Sequence, residues 1–223
     1  MTYRYANAVI VVFCKAPVPG QVKTRLMTKL SADEAAEIHI ELSIRTLQLA
    51  TKLQLCPVEL WCAPTHEHSF FTTVAESYSI SLHQQYGADI GEKMRNAMAS
   101  VLDRYTAAVL IGCDCPSMTE NDLEQALTAL DRPNSCVLAP AEDGGYVLIG
   151  LNQPQSRVFD NIAWGTELVY AQTRARIDQL NLNFVELKQQ WDLDTPEDLL
   201  RYRSGSVEQQ LTRVTTVEGV NEA

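Results

Sequence analysis

The sequence predicts an α/β sandwich on a mostly parallel sheet. Short, continuously apolar runs rich in β-branched residues recur along the 223 residues, and segments with helical periodicity and clear caps lie between most of them. One late pair of runs is too closely spaced for a helical crossover, so plain parallel alternation should break there.

Taken in order, Ala8–Phe13 (AVIVVF) is apolar at every position, as a strand buried on both faces requires. Ser31-Ala-Asp-Glu34 is a capping box and opens a helix reaching about Leu53. Val58–Cys62 is the next strand, and His66 and His68 fall on a solvated helix start. Ile80–His83 and Ala108–Gly112 are strands flanking a helix over Gly91–Arg104. Thr119 caps a helix running to Leu130. Cys136–Ala139 and Tyr146–Leu151 are the closely spaced pair; they should be antiparallel or leave the main sheet. A helix over Glu167–Leu180 and a strand over Phe184–Leu187 follow. Thr195-Pro196-Glu197-Asp198 then supplies an N-cap, a first-position proline and two acids for a last helix. No repeat or linker divides the chain, so residues 1–203 form one expected domain and the polar stretch 204–223 a tail that frays.

Composition narrows the function classes. Hydrophobic residues at 46% and charged residues at 21% are globular values. Eighteen basic against 28 acidic residues leave a net charge of −10, which repels phosphate backbones and disfavours a nucleic-acid partner. The charge is uneven: the first thirty residues carry Arg4, Lys15, Lys23, Arg25 and Lys29 and no acid. No run approaches the roughly 20 apolar residues of a membrane helix, and Ala8–Phe13 is too short for a signal-peptide core. Six cysteines include no Cys-x-x-Cys, and His39, His66, His68 and His83 do not complete a zinc pattern. Reduced cysteines packed as small hydrophobes, in a cytoplasmic enzyme, are therefore expected.

Five motifs could carry chemistry. The loop after the first strand, Lys15 to Leu26, holds Lys15, Lys23 and Arg25, stiffened by Pro17, Pro19 and Gly20. It is neither a Walker loop nor a Rossmann fingerprint, but its unopposed cations at the carboxyl end of a strand suit a polyphosphate. Lys23→Ala is expected to weaken nucleotide binding with folding unchanged. Asp114 in Gly112-Cys-Asp-Cys-Pro116 ends another strand, where a carboxylate can bind Mg²⁺ or serve only as a turn former. Asp192 and Asp194 point the same way in an extended segment, and Asp194, with Asp192 second, could complete a metal site with Asp114. Asp198 belongs to the helix start. Glu142-Asp-Gly-Gly145 is a hairpin turn or a close-approach loop in which Asp143 accepts from substrate hydroxyls beside Gly144 and Gly145. Gly91 reads as a helix start. Trp164, before Gly165-Thr166, either contacts substrate or packs.

Together, Lys15-x-Pro-x-Pro-Gly-x-Val-Lys-Thr-Arg-Leu26, Gly112-x-Asp-x-Pro116, Asp143-Gly-Gly-Tyr-x-Leu-Ile-Gly150 and Asp192-x-Asp-Thr-Pro-Glu-Asp198 resemble the glycosyltransferase-A-like family of uncharacterised nucleotide-diphospho-sugar transferases. Its relatives include guanylyltransferases acting on molybdenum cofactor and on phospholactate. The resemblance spans about residues 8–202. It departs at Gly165, where the family more often has Ser. It implies a three-layer α/β/α fold with a mixed sheet, and a nucleotide over the loop after the first strand held by Lys15, Pro17, Gly20, Lys23 and Arg25. It further implies Mg²⁺ or Mn²⁺ on Asp114 and Asp194, and a nucleoside triphosphate or nucleotide-sugar as partner alongside a small-molecule acceptor. Lys23, Arg25 and Asp114 would be the catalytic groups, and Asp143, Gly144, Gly145 and Trp164 the substrate contacts. Glycosyl transfer is the first expectation. Nucleotidyl transfer releasing pyrophosphate, of guanylyl or cytidylyl type, and a non-catalytic nucleotide sensor are the alternatives.

Overall fold

The computed structural model describes residues 3–205. At its centre is β1 (Ala8–Lys15), whose first seven residues are buried. Side chains alternate across a strand, so Ile10, Val12 and Cys14 face one apolar layer while Val9, Val11 and Phe13 face the other. At ~1.5–3 kcal/mol for each fully buried aliphatic side chain, this double burial explains why the run contains no polar residue.

Around β1 lie β2 (Val58–Ala63), β3 (Ser81–Gln84), β4 (Ala107–Gly112), β5 (Ser135–Pro140), β6 (Tyr146–Leu151) and β7 (Asn183–Glu186). They form one seven-stranded sheet in the order β3-β2-β1-β4-β6-β5-β7. Only β6 runs against the rest: it pairs antiparallel with both β4 and β5, while the other neighbours are parallel. The short connection between β5 and β6 therefore makes a hairpin that stays in the main sheet.

Five helices are bounded within the described residues: α1 (Ala32–Lys52), α2 (Ser69–Tyr78), α3 (Ile90–Leu102), α4 (Glu120–Ala129) and α5 (Val169–Gln179). A sixth, α6, begins at 196 and continues through 205, past the 203/204 boundary expected from sequence; the remainder of the expected tail, 206–223, lies outside the described residues. Leu47 and Ala50 of α1, Phe71 of α2 and Leu123 of α4 pack on one face of the sheet; Met94 and Met98 of α3 and Ile177 of α5 pack on the other. The protein is thus a three-layer α/β/α sandwich with a mixed, mostly parallel sheet. A third apolar cluster joins Leu26, Ile38 and Leu42 to Leu193 and Leu199, holding α6 against α1.

The caps account for most helix starts. Ser31 and Glu34 complete a capping box, as do Thr119 and Asp122. His68, placed at a helix start by sequence, is the N-cap of α2, its ring nitrogen accepting from the Phe70 N–H. Asp89 caps α3, which begins at Ile90, one residue before the Gly91 start expected. No described helix is long and apolar enough to cross a membrane.

One buried charge locks β2 to its surroundings. Glu59, its side chain 3% exposed, accepts two hydrogen bonds from Arg104 at 2.7 and 3.0 Å and one from the Trp61 indole at 3.1 Å. His83 of β3 stacks on Trp61 with its Nε2 3.3 Å from the same carboxylate. Burial is the largest influence and acts to raise the Glu59 carboxyl, but the Arg104 and Trp61 hydrogen bonds and the nearby His83 and Arg104 charges together outweigh it, and the group lies below its usual range. A carboxyl depressed in the folded state stabilises above its unfolded value and loses that contribution as pH falls through the folded one. Glu59→Gln should therefore cost about 1–3 kcal/mol at pH 7, somewhat below a fully buried pair because Arg104 is partly exposed. In urea denaturation at stepped pH, the gap between wild type and variant should close below pH 4.5.

Candidate active site

The carboxyl ends of β1 and β4 are neighbours, since Phe13 pairs with Gly112. This adjacency places the Lys15–Leu26 loop beside Asp114. A third segment, between β7 and α6, is tied to the same place: the Leu193 N–H donates to the Asp114 carbonyl at 2.9 Å, and the Trp191 N–H donates to the Ser117 hydroxyl at 3.0 Å. Asp192 and Asp194 are thereby delivered to the strand ends from the far end of the described chain.

At the junction sits the Lys23 ammonium. Its side chain is 4% exposed, and Nζ lies 3.2 Å from both Asp114 Oδ2 and Asp194 Oδ1. Arg25 Nη1 lies 3.2 Å from the other oxygen of Asp194. Burial alone would depress the Lys23 ammonium and raise the Asp114 carboxyl, but the charges of Asp114 and Asp194 together leave Lys23 raised, and the charge and hydrogen bond of Lys23, with smaller contributions, leave Asp114 lowered. Lys23 also adopts a left-handed backbone (φ 47°), a conformation that costs an ordinary residue roughly 1–3 kcal/mol. The loop holds that strain in order to turn the ammonium inward.

Asp192 is the group the pairing leaves out. Burial first, then the charges of Asp114 and Asp194, push its carboxyl up to about 8, and Asp143 adds to the effect. Three carboxylates thus converge where only two are neutralised by Lys23. Their donors are all oxygen, so they fit in chemistry the Mg²⁺-type centre that the resemblance implies, although at rest the three carboxylates do not come within 4.8 Å of one another as a group.

A cavity of about 400 Å³ opens over the junction, lined by Lys15, Lys23, Arg25, Asp114 and Asp194 together with Gln21, Thr24, Gln85 and Ile90. Five of the expected site residues therefore meet in one pocket. Lys15 makes no ion pair among the described residues and is the cation most open to a ligand. Pro17 is buried and Gly20, at φ +80°, turns the loop; neither lines the cavity. Asp198 completes its helix cap with Thr195, accepting from the Thr195 N–H at 2.8 Å.

None of Asp143, Gly144, Gly145 and Trp164 lines this cavity, and Asp143 bears on the site through its charge, which acts on Asp192. Asp143 Oδ1 accepts from the Gly145 N–H at 2.9 Å, and Gly144 is pressed against the Glu167 backbone, where a Cβ would come within 2.3 Å of the carbonyl oxygen. Trp164 packs over Gly91, whose missing Cβ leaves room for the indole, and meets Tyr146 edge-on at 6.4 Å. Packing thus accounts for Gly144 and Trp164.

The sequence reading missed Gln85, which follows β3 at the carboxyl edge and donates to the Trp61 carbonyl at 2.7 Å. The strand-end rule that found Asp114 applies equally to it. It also missed a buried group beneath the cavity. Cys14 and Cys113, at the ends of β1 and β4, and His39 of α1 offer two sulfurs and a ring nitrogen within 4.8 Å of one another. Spacing along the chain gives no sign of this grouping, because it cannot show three elements converging. The Cys14 thiol beside it lowers the Cys113 thiol and is itself raised.

A family model described as an uncharacterized protein conserved in bacteria (DUF2064) matches residues 46–166, more than half of the chain. The chain belongs to this family. A structural likeness extends beyond those residues. A crystal structure from Desulfovibrio desulfuricans G20, provisionally named a nucleotide-diphospho-sugar transferase, is 30% identical at a TM-score of 0.79, covering 87% of this chain and 85% of that one. The fold also matches CMP:2-keto-3-deoxy-manno-octonic acid synthetase complexed with CTP, at 11% identity, TM-score 0.56, covering 92% and 100%. A 4-diphosphocytidyl-2C-methyl-D-erythritol synthase from Anaerococcus prevotii DSM 20548 matches at 10% identity and TM-score 0.59, covering 89% and 97%. No curated protein matches the chain.

The pairing geometry revises what Lys23 does. Replacing it leaves three carboxylates facing one another, so Lys23→Met should lose about 1–3 kcal/mol in urea denaturation, discounted from the fully buried case because Asp114 and Asp194 are 40% and 38% exposed. A variant as stable as wild type would show that the ammonium contributes nothing to the resting fold.

Proposed function

We propose that the protein is a divalent-cation-dependent transferase acting on a nucleotide-diphospho-activated substrate, with glycosyl transfer as its reaction. The observation that carries this reading is the meeting, in one cavity, of the loop cations with two carboxylates drawn from distant parts of the chain, Asp114 and Asp194, with the Asp192 carboxyl raised by their charges from an adjoining pocket. A phosphate cradle alone would need only the cations. Opposed charges side by side suit a diphosphate and a cation bound together. The 30% identical relative, with its provisional name, supports the same class.

Asp114 and Asp194, with Asp192, would hold Mg²⁺ or Mn²⁺, which when bound supplies charge stabilisation to the diphosphate. Lys15 meets the incoming phosphates first, being exposed and without an ion pair among the described residues. Lys23 and Arg25 exchange part of their contact with the carboxylates for phosphate oxygens, so positive charge is already in place as the nucleoside diphosphate departs. The loop contributes orientation through its fixed turn at Gly20 and Lys23. Asp143, near enough for its charge to act on Asp192, would accept from hydroxyls of the transferred sugar or the acceptor.

Nucleotidyl transfer with release of pyrophosphate is the second reading. Three cations on one short loop favour it, whereas the pairing of Lys23 and Arg25 with carboxylates lowers the charge they offer to a triphosphate.

Thermal-shift titration with nucleoside triphosphates and nucleotide-sugars, with and without Mg²⁺, should give stabilisation by a nucleotide-sugar that depends on the cation. If no nucleotide raises the melting temperature at millimolar concentration, the reading fails. Mass-spectrometric product analysis should find free nucleoside diphosphate; pyrophosphate instead would establish nucleotidyl transfer. Asp114→Asn should reduce turnover by at least ~100-fold. Nucleotide binding without turnover in wild type would point to a sensor.

A further inference from the structure

We propose that Cys14, Cys113 and His39 form a second, soft-metal site of zinc type in the floor of the cavity, separate from the carboxylate centre. The proposal does not rest on the transferase reading. Two thiols and an imidazole are the donors of a three-ligand zinc site, whereas the aspartates a few ångströms above offer only hard oxygens. The two sets therefore select different ions.

The geometry is near that of a bound ion. Bonds of ~2.3 Å to sulfur and ~2.0 Å to nitrogen in a tetrahedral arrangement require a sulfur–nitrogen separation of roughly 3.5 Å. Cys14 Sγ and His39 Nε2 are 3.8 Å apart. All three donor atoms lie within 4.8 Å of one another, so side-chain adjustments of about 1 Å or less complete the triangle, given the ~3.8 Å sulfur–sulfur spacing of such a site. The three residues are 2–5% exposed, yet all line the cavity. No fourth ligand joins them among the described residues. Three protein ligands with an open position towards a cavity is the pattern of a site that admits water or substrate, unlike the closed four-ligand structural type.

Binding has a stated cost in the resting network. His39 Nε2 now pairs with the Lys15 carbonyl at 2.9 Å. Coordination through Nε2 moves the ring proton to Nδ1, releases the thiol protons to solvent and frees that carbonyl. Lys15 is the open cation of the phosphate loop, so occupancy of the soft site is linked to the loop's first residue.

Reduced, chelator-treated full-length protein is titrated with Zn²⁺ alone and with Co²⁺ alone, in the absence of nucleotide. One Zn²⁺ per chain is expected, together with a cobalt spectrum showing sulfur charge transfer and tetrahedral visible bands. Zinc-edge absorption of the wild-type protein should show two sulfurs at ~2.3 Å and nitrogen or oxygen neighbours at ~2.0 Å. Cys14→Ser and Cys113→Ser should each loosen zinc by at least ~100-fold. Asp194→Asn should leave the zinc titration unchanged. No stoichiometric zinc, an edge spectrum with only oxygen and nitrogen, or loss of zinc in Asp194→Asn would overturn the proposal. The wild-type edge spectrum decides the matter even where a cysteine variant does not fold.

Discussion

A single ammonium group holds the functional edge of this protein together. Lys23 bridges Asp114 and Asp194, which come from segments 91 and 171 residues away along the chain. The loop after β1, the end of β4 and the approach to α6 could each be placed approximately by sheet pairing and apolar contact. Their relative position to within a hydrogen bond is set by this shared charge and by the Leu193–Asp114 backbone bond. Dispersion and burial are non-directional, and they cannot align three loop segments; a point charge between two carboxylates can.

The same arrangement explains how a chain of net charge −10 presents a phosphate-compatible cavity. The basic first thirty residues are not a free patch. Three of their cations are spent on carboxylates at rest, Arg4 on Glu124 and Lys23 and Arg25 within the site, which leaves Lys15 as the unpaired cation lining the cavity among the described residues. An anionic ligand and a cation arriving together disturb this balance less than either alone.

Much of the fold was legible because its signals are local. Ala8–Phe13 is apolar at every position, and only a doubly covered strand satisfies that. The short link between β5 and β6 forbids a crossover whatever else the chain does. Ser31 and Glu34 satisfy their caps within one turn. The bounds of α2 were less visible, since Ser-Phe-Phe-Thr-Thr-Val has weak helical preference and its cap is an imidazole. In the site, the loop cations and Asp114 stood out because each is anomalous in its own segment. Their mutual neutralisation did not, because the opposing charges are remote in sequence. Cys14 and Cys113 looked like core residues for the same reason that β1 and β4 look like core strands. Their meeting with His39 follows from the pairing register and from the face that α1 turns to the sheet, neither of which one segment records.

The backbone bond from Leu193 to Asp114 has a bearing on how the molecule comes into being. Strands β1 to β4 are synthesised by about the midpoint of the chain, and β2, β3 and β4 each find a partner among strands already made. The carboxylates of 192 and 194 emerge some eighty residues later, after β6 has reversed direction and α5 has passed across the opposite layer. Through that interval Lys23 has Asp114 as its only site partner, and Leu26 and Ile38 lack the leucines that later cover them. On the ribosome, at ~5–20 residues per second, this amounts to several seconds. The scaffold is thus an early product and the pocket a late one, so a premature stop that spares most of the sheet still yields a protein without a completed site.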